Sequence, residues 1–407
     1  MVKMGQFVED KFWDQLFTAL SQPGASELVA NGPDSFFLTN RGVKERIVGP
    51  TGMNERSYLS SIKSGLIPLV HSEEPFDETG YIFEGHYTVP GMNGFEGRCH
   101  IMLPPITMSP RVTLTKIAAT TNTIETIASS GSMSTEMMNF LIAAVKAKLT
   151  IVLSGQSGAG KTTTLQALTK YFDPQDRVGI GEDLPELKLT QPNVFYLHTL
   201  PMKPGLDPNK VADLSWVVKQ FLRMRPDRAI IGETRGREFA DFLVAANSGM
   251  KGSLTTLHAD DPSGALDKMT RFALQGSDKQ PIRSINKEIG TAVNLVVQLA
   301  RINGQHRMTH IEEITTTVGN SEDAKLASAT LYEYEASSDR WKKPNMMSEQ
   351  LLKRFELANV STKPFLANPV GSYQGKHPPL ASSGNPSVPE ARGNGFGGGN
   401  PFGGRKV

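Results

Sequence analysis

LTIVLSGQSGAGKTTTLQALTKYF, residues 149–172, decides the fold. An apolar, β-branched run opens it and a helical pattern closes it. Between them stand Gly155, Gln156, Ser157, Gly158, Ala159, Gly160, Lys161 and Thr162, a complete Walker A pattern, with Thr163 next in the helix. Glycines at this spacing let the backbone wrap phosphates, with amide hydrogens and the N-terminus of the following helix aimed at the anion. Lys161 is placed to reach the β- and γ-phosphates of a nucleotide, and the Thr162 hydroxyl to bind Mg²⁺. A Gly-rich turn arising by chance would lack the strand before it or the helix after it.

Outward from this stretch, short apolar runs alternate with helical patterns. LTIVLSG, RVGIGE, VFYLHTL, RAIIGE and GSLTTLH read as strands, with helices near 161–172, 210–225, 237–248 and 263–274. That alternation predicts an α/β domain with a parallel-rich sheet over 137–345. Met137, Phe140, Leu141, Ala144 and Val145 mark the helix that leads into it, and the polar run before them predicts a linker over 121–136. Ahead of the linker, residues 1–120 predict a smaller α+β domain. Phe12, Trp13, Leu16, Phe17 and Leu20 recur at helical spacing; a membrane-surface role and packing on the same domain both fit them. After this helix, SELVANGPDSFFLTN and the Gly- and Pro-punctuated segment from Tyr81 to Ala118 read as strands. At the other end, 346–407 is rich in Gly, Pro, Ser and Asn and predicts a mostly disordered tail.

Across 407 residues the formal net charge is only +2, and no basic strip interleaved with aromatics occurs. No stable direct nucleic-acid binding is therefore expected. The single cysteine, Cys99, excludes an internal disulfide and a cysteine-rich zinc site. The first residues lack a signal-peptide pattern, and the longest apolar run, LIAAVKAKLTIVL, is interrupted by Lys146 and Lys148. A cytoplasmic protein is expected, with any membrane association peripheral.

Three further strand ends carry chemistry. RAIIGE ends in Glu233, about 70 residues after Lys161; a carboxylate at the edge of a strand adjoining the P-loop can orient water for attack on a γ-phosphate. IGEDLPEL brings Glu182, Asp183 and Glu186 to another strand end, as a site for Mg²⁺ and water or as a solvated acidic loop. GSLTTLHAD ends in His258, either a phosphate contact or a structural histidine.

Taken together, GQSGAGKTTT, IGEDLPEL, LRMRPDRAIIGETRGREF and GSLTTLHAD resemble the Walker A, Asp box, Walker B and His box of the type II and type IV secretion ATPases. All four occur in that order within about 110 residues. ANSGMKGSLTTLHAD, and GRCHIMLPP at 97–105, resemble the conjugation and type IV branch most closely, and the similarity spans roughly residues 10–315. Type II members often carry a four-cysteine zinc element, which one cysteine cannot form.

The resemblance implies a RecA-like P-loop domain and a homo-hexameric ring that hydrolyses ATP with Mg²⁺ and docks on inner-membrane secretion apparatus components. It further implies that Lys161 and Thr162 bind nucleotide and that Glu233 activates water. Glu182 and Glu186 would support Mg²⁺ and water, His258 would sense phosphate, and Arg98 and Arg235 would neutralise transition-state charge. Family members often carry an arginine before a lysine in the last N-terminal strand. Here Thr115 precedes Lys116, so either Arg111 substitutes or the site lacks that contact. A pilus assembly or retraction motor and a slowly hydrolysing ATP-gated docking switch remain alternatives.

Overall fold

The computed structural model describes residues 12–40, 42–47, 53–71, 81–92, 95–117, 122–200, 212–277, 280–316, 326–366 and 373–374. Helix α1 (Phe12–Ser21) precedes strands β1 (Ala25–Ala30), β2 (Phe36–Asn40) and β3 (Val43–Ile47). Helix α2 (Glu55–Ser61) follows, continued by a π turn and a 3₁₀ turn to Leu69. Strands β4 (Val70–His71), β5 (Ile82–Thr88), β6 (Glu96–Met102) and β7 (Arg111–Lys116) complete an antiparallel sheet of order β3-β2-β1-β7-β6-β5-β4. In β6 the alternation puts Cys99 and Ile101 into the core and leaves Arg98 and His100 on the opposite face. The apolar side of α1 is spent on this sheet: Phe12 and Phe17 lie edge-on or tilted against Phe36 and Tyr87. Packing on its own sheet accounts for the helical stripe.

Helices α3 (Ile124–Ser129) and α4 (Thr135–Lys146) lead to β8 (Ile151–Gly155) and α5 (Lys161–Thr169). Then come β9 (Val178–Glu182), β10 (Val194–His198), α6 (Leu214–Met224), β11 (Arg228–Ile231), α7 (Glu238–Asn247), β12 (Leu254–Leu257), α8 (Pro262–Gly276) and α9 (Ile282–Ala292). Strands β13 (Leu295–Ile302), β14 (Gln305–Thr316), β15 (Leu326–Glu335) and β16 (Arg340–Lys342) follow. Helices α10 (Glu349–Leu357) and α11 (Lys363–Leu366) and strand β17 (Tyr373–Gln374) end the described chain.

The second sheet has the order β10-β9-β11-β12-β8-β13-β14-β15-β16-β17. It is parallel from β10 to β13 and antiparallel beyond, so the whole is mixed. Every residue of β8 and β9 is buried, as strands covered on both faces require. One apolar layer, built largely from α4, α5 and α10, covers one face; α6 to α9 cover the other. Side-chain caps start the helices where polar residues meet apolar runs. Ser134, Asp213 and Asp261 accept the amides of Met137, Trp216 and Gly264.

Three expectations are corrected. Strand β11, which leads to Glu233, does not adjoin the P-loop strand: β12 lies between β11 and β8. Within the stretch expected as a linker, α3 is ordered, with a capping box at Thr123 and Ile124 fully buried. The stretch expected as tail from 346 begins inside the core, because α10 and α11 each offer one aromatic to it. Phe140 of α4 meets Phe355 at 6.0 Å, Phe365 at 5.6 Å and Tyr332 at 5.5 Å between ring centroids. Buried Lys343 donates to the Phe365 carbonyl, and the Tyr332 hydroxyl donates to Glu136 at 3.0 Å. Of the rest of the expected tail, 367–372 and 375–407 lie outside the described residues.

This packing predicts that Phe355→Ala costs about 3 kcal/mol of stability through the cavity it leaves. Denaturant unfolding followed by tryptophan fluorescence would read the loss. An unchanged midpoint would mean that α10 contributes nothing to the core.

Candidate active site

Strand β8 delivers the chain to Gly155 at the carboxyl edge of the second sheet. A side chain there is impossible, since a Cβ would sit 2.3 Å from the Leu299 carbonyl of β13. Gly160 takes φ +93° as the residue that opens α5, a left-handed conformation suited to glycine. Lys161 therefore enters the first helical turn with its side chain folded back over the loop. Its ammonium donates to the carbonyls of Gly155 (2.9 Å) and Gln156 (3.0 Å) and lies 3.2 Å from His258 Nδ1. Burial pushes Lys161 down to about 8, against the pull of Glu233 and Glu186.

His258 bridges two charged groups. With Nδ1 accepting from Lys161, Nε2 carries the hydrogen, and it lies 2.7 Å from Glu233 Oε1. The other Glu233 oxygen accepts from Arg235 Nη2 at 2.9 Å, and Arg235 Nη1 is 3.7 Å from Asp183. Burial alone would raise the Glu233 carboxyl, but contacts with His258 and Arg235 outweigh it and hold it at about 2. The strand between β8 and β11 is thus the one whose end links Lys161 to Glu233.

Glu182 ends β9 almost wholly enclosed, 3% exposed. Its carboxyl accepts amide hydrogens from Leu187 (3.1 Å) and Glu186 (3.3 Å), and burial raises it to about 8 despite them. Gly232 leaves it room, because a Cβ there would fall 2.9 Å from Glu182 Cγ. Glu186 pairs instead with Arg98 of β6 at 2.8 Å; burial raises its carboxyl and Arg98 opposes the rise. The first sheet therefore supplies one wall of the site.

These groups line a single cleft of about 970 Å³ between the two sheets. Ser157, Gly158, Lys161 and Thr162 face it from the loop, Glu182, Asp183, Glu186, Glu233, Arg235 and His258 from the other strand ends, and Arg98 from β6. Gln156 turns to Asp260, donating at 2.9 Å, and Ala159 is buried beneath the loop. Gly155, Gly160 and Thr163 shape the loop and first turn without lining the cleft. Arg111 is no substitute for the missing family arginine. It stands at the far end of β7 near Tyr58 and does not line the cleft.

Lys188, Glu96, His86 and His198 also line the cleft and were not among the sequence candidates. Lys188 and Glu96 form a second ion pair between the sheets beside Arg98–Glu186. The outward period-2 face of β6, which puts Glu96 beside Arg98, was the available signal. Burial lowers the His86 imidazole, with Arg98 and Lys188 adding to the effect and Glu96 opposing it. Among the described residues, no cluster of three or more His, Cys, Asp or Glu is arranged to hold a metal, and no helix is long and apolar enough to cross a membrane.

Residues 96–343 match the family model for the type II/IV secretion system protein, from β6 through β16, which takes in Arg98 and the cleft groups of the second sheet. The conjugal transfer protein TrbB of Rhizobium radiobacter is 27% identical over 310 residues, covering 75% of this chain and 89% of that protein. The type IV secretion system protein PtlH of Bordetella pertussis is 32% identical over 178 residues, 43% of this chain and 52% of its own. The structure of the Yersinia pseudotuberculosis ATPase DotB superposes with a TM-score of 0.52 at 14% identity, covering 89% of this chain and 88% of DotB, which is a likeness of fold. With the match spanning well over half its length, the chain belongs to the type II/IV secretion system protein family.

Proposed function

We propose that this chain hydrolyses ATP to ADP and phosphate in the cleft between its sheets, as one subunit of a homo-hexameric ring powering a type IV secretion or conjugation apparatus. The observation that carries the reading is the chain of close contacts from the Walker A ammonium through His258 to Glu233 and Arg235. It supports the reading because Lys161, Glu233 and Arg235, the groups read as phosphate-binding cation, water-orienting carboxylate and charge-neutralising arginine, line one cleft. The names of TrbB and PtlH supply the conjugation and type IV context, and the hexamer, cytoplasmic location and inner-membrane docking rest on the family resemblance.

In this reading the γ-phosphate takes over Lys161 and draws His258 and Arg235 toward itself. A carboxyl held at about 2 is a poor proton acceptor, so Glu233 serves as a base only once those contacts are released. Water then attacks the γ-phosphorus, its proton passes to Glu233, and the bond to the β-phosphate oxygen breaks. Arg98 and Arg235 offset charge on the transferred group. Glu182 organises the loop that presents Glu186 to Arg98.

Thr162, Glu182 and Glu186 line the cleft beside Lys161, an all-oxygen set that fits Mg²⁺, which keeps several waters and needs few protein ligands. Thr162 would hold it directly, with Glu182 and Glu186 acting through water, and it would supply charge neutralisation between phosphates. The test is ATP turnover against protein concentration with mass measured by light scattering. Activity should rise as the chain assembles toward six subunits. A monomer that binds nucleotide without turning it over would sink the motor reading in favour of a docking switch.

A further inference from the structure

The geometry points to His306 as a positioning residue for nucleotide, holding the Walker A loop in register from its outer side. The inference deepens the nucleotide reading proposed above and rests on it.

Strand β13 runs parallel to β8 with Leu299 level with Gly155, then continues past the sheet edge. It turns at Asn303 and Gly304, both with positive φ (51° and 77°), and returns as β14. Two left-handed residues joining paired strands make a tight hairpin whose twist matches its strands. The hairpin therefore overhangs the P-loop as a short stiff arm. Its base is secured on the far side, where Met308 donates to the Ser132 carbonyl at 2.7 Å and accepts from the Trp341 indole at 2.7 Å.

From this arm His306 reaches the loop. Its Nε2 lies 2.9 Å from the Gly158 carbonyl, and its ring sits where a side chain on Gly160 would come within 3.6 Å. A carbonyl only accepts, so Nε2 carries the hydrogen and donates. The trans peptide after Gly158 is planar, with its oxygen and amide hydrogen on opposite sides. Drawing the Gly158 oxygen outward to His306 thus turns the Ala159 amide inward, where it donates to the Gln156 carbonyl at 3.2 Å. The 158–159 peptide is thus fixed at its oxygen by His306 and at its amide by Gln156.

The arm also meets the first sheet. Arg301, opposite His306 in the hairpin, packs over the β2–β3 turn, since a Cβ on Gly42 would fall 2.6 Å from its guanidinium carbon. The loop geometry is therefore referenced to both halves of the chain.

The experiment is equilibrium titration of the full chain with N-methylanthraniloyl-ADP, followed by steady-state ATP turnover, for wild type, His306→Ala and His306→Gln. Losing one neutral hydrogen bond should weaken His306→Ala about fivefold in Kd. The glutamine variant, whose amide can still donate, should stay within about twofold of wild type, and kcat at saturation should move less than about twofold in both. Equal Kd for wild type and His306→Ala would overturn the inference. So would a glutamine variant as weak as alanine, or a fall in Tm with Kd and kcat worsening together, which is the mark of a merely structural residue. Failure of the wild type itself to bind would reject the nucleotide reading and this inference with it.

Discussion

Glu233→Gln should lower kcat for ATP hydrolysis by about 10²–10³-fold, the usual worth of a positioned base, while nucleotide affinity changes less than about threefold. Glutamine keeps the shape of the side chain, and its single oxygen can still accept from Arg235, while its amide nitrogen takes the place of the oxygen beside His258. What it loses is the ability to take a proton from water. Rapid-quench turnover at saturating ATP, beside equilibrium binding of ADP, separates the two effects. A kcat within tenfold of wild type would restrict Glu233 to orienting water, a role an amide can share. The same variant separates a motor from a docking switch, because a motor should stall and a switch should still dock.

Lys161→Ala should weaken nucleotide binding by about 10²–10³-fold, the cost of removing one partner from a desolvated charge pair. Turnover should fall below detection. The ammonium is already held by two loop carbonyls and His258, so phosphate competes for a preorganised donor rather than a free side chain. Burial has brought this lysine down to about 8, which gives a pH dependence with a definite sign. Below that value the ammonium is charged and phosphate gains the full interaction. As pH rises through it, affinity should decline in the wild type, while Lys161→Ala should show no such decline. A flat wild-type profile from pH 7 to 9.5 would remove Lys161 from phosphate binding.

The strand–loop–helix unit at 149–172 was legible because its rules are local. Glycines at fixed spacing permit the turn, and apolar periodicity switches from strand to helix within a few residues. The four parallel strand ends carrying Lys161, Glu182, Glu233 and His258 were legible for the same reason. Their lateral order was not. Sequence separation suggested that Glu233 neighbours the P-loop, but β12 pairs with β8 and interposes His258. Strand order depends on which faces the crossover helices cover, and no window of sequence contains that information.

The boundary near 345 failed on similar grounds. α10 is polar on most sides, and its two buried residues, Leu351 and Phe355, matter only because Phe140 waits for them some 200 residues earlier. Composition cannot register a contact of that range. Arg98 and Arg111 show the same limit in one sheet. Both lie on β strands of the first sheet, yet only Arg98 meets Glu186, because the register of β6 and β7 sends Arg111 to the far end.

The sequence by itself determined which residue types stand in the glycine loop and at the ends of the parallel strands, since that is written in local spacing and periodicity. Only the tertiary structure decided which of them meet. It set His258 between Lys161 and Glu233, joined Arg98 to Glu186 across the cleft, and hung His306 over Gly158. The physical reason is that hydrogen bonds and ion pairs act over a few ångströms in space. The distances along the chain that bring these pairs together are set by strand pairing and core packing, which belong to the whole fold.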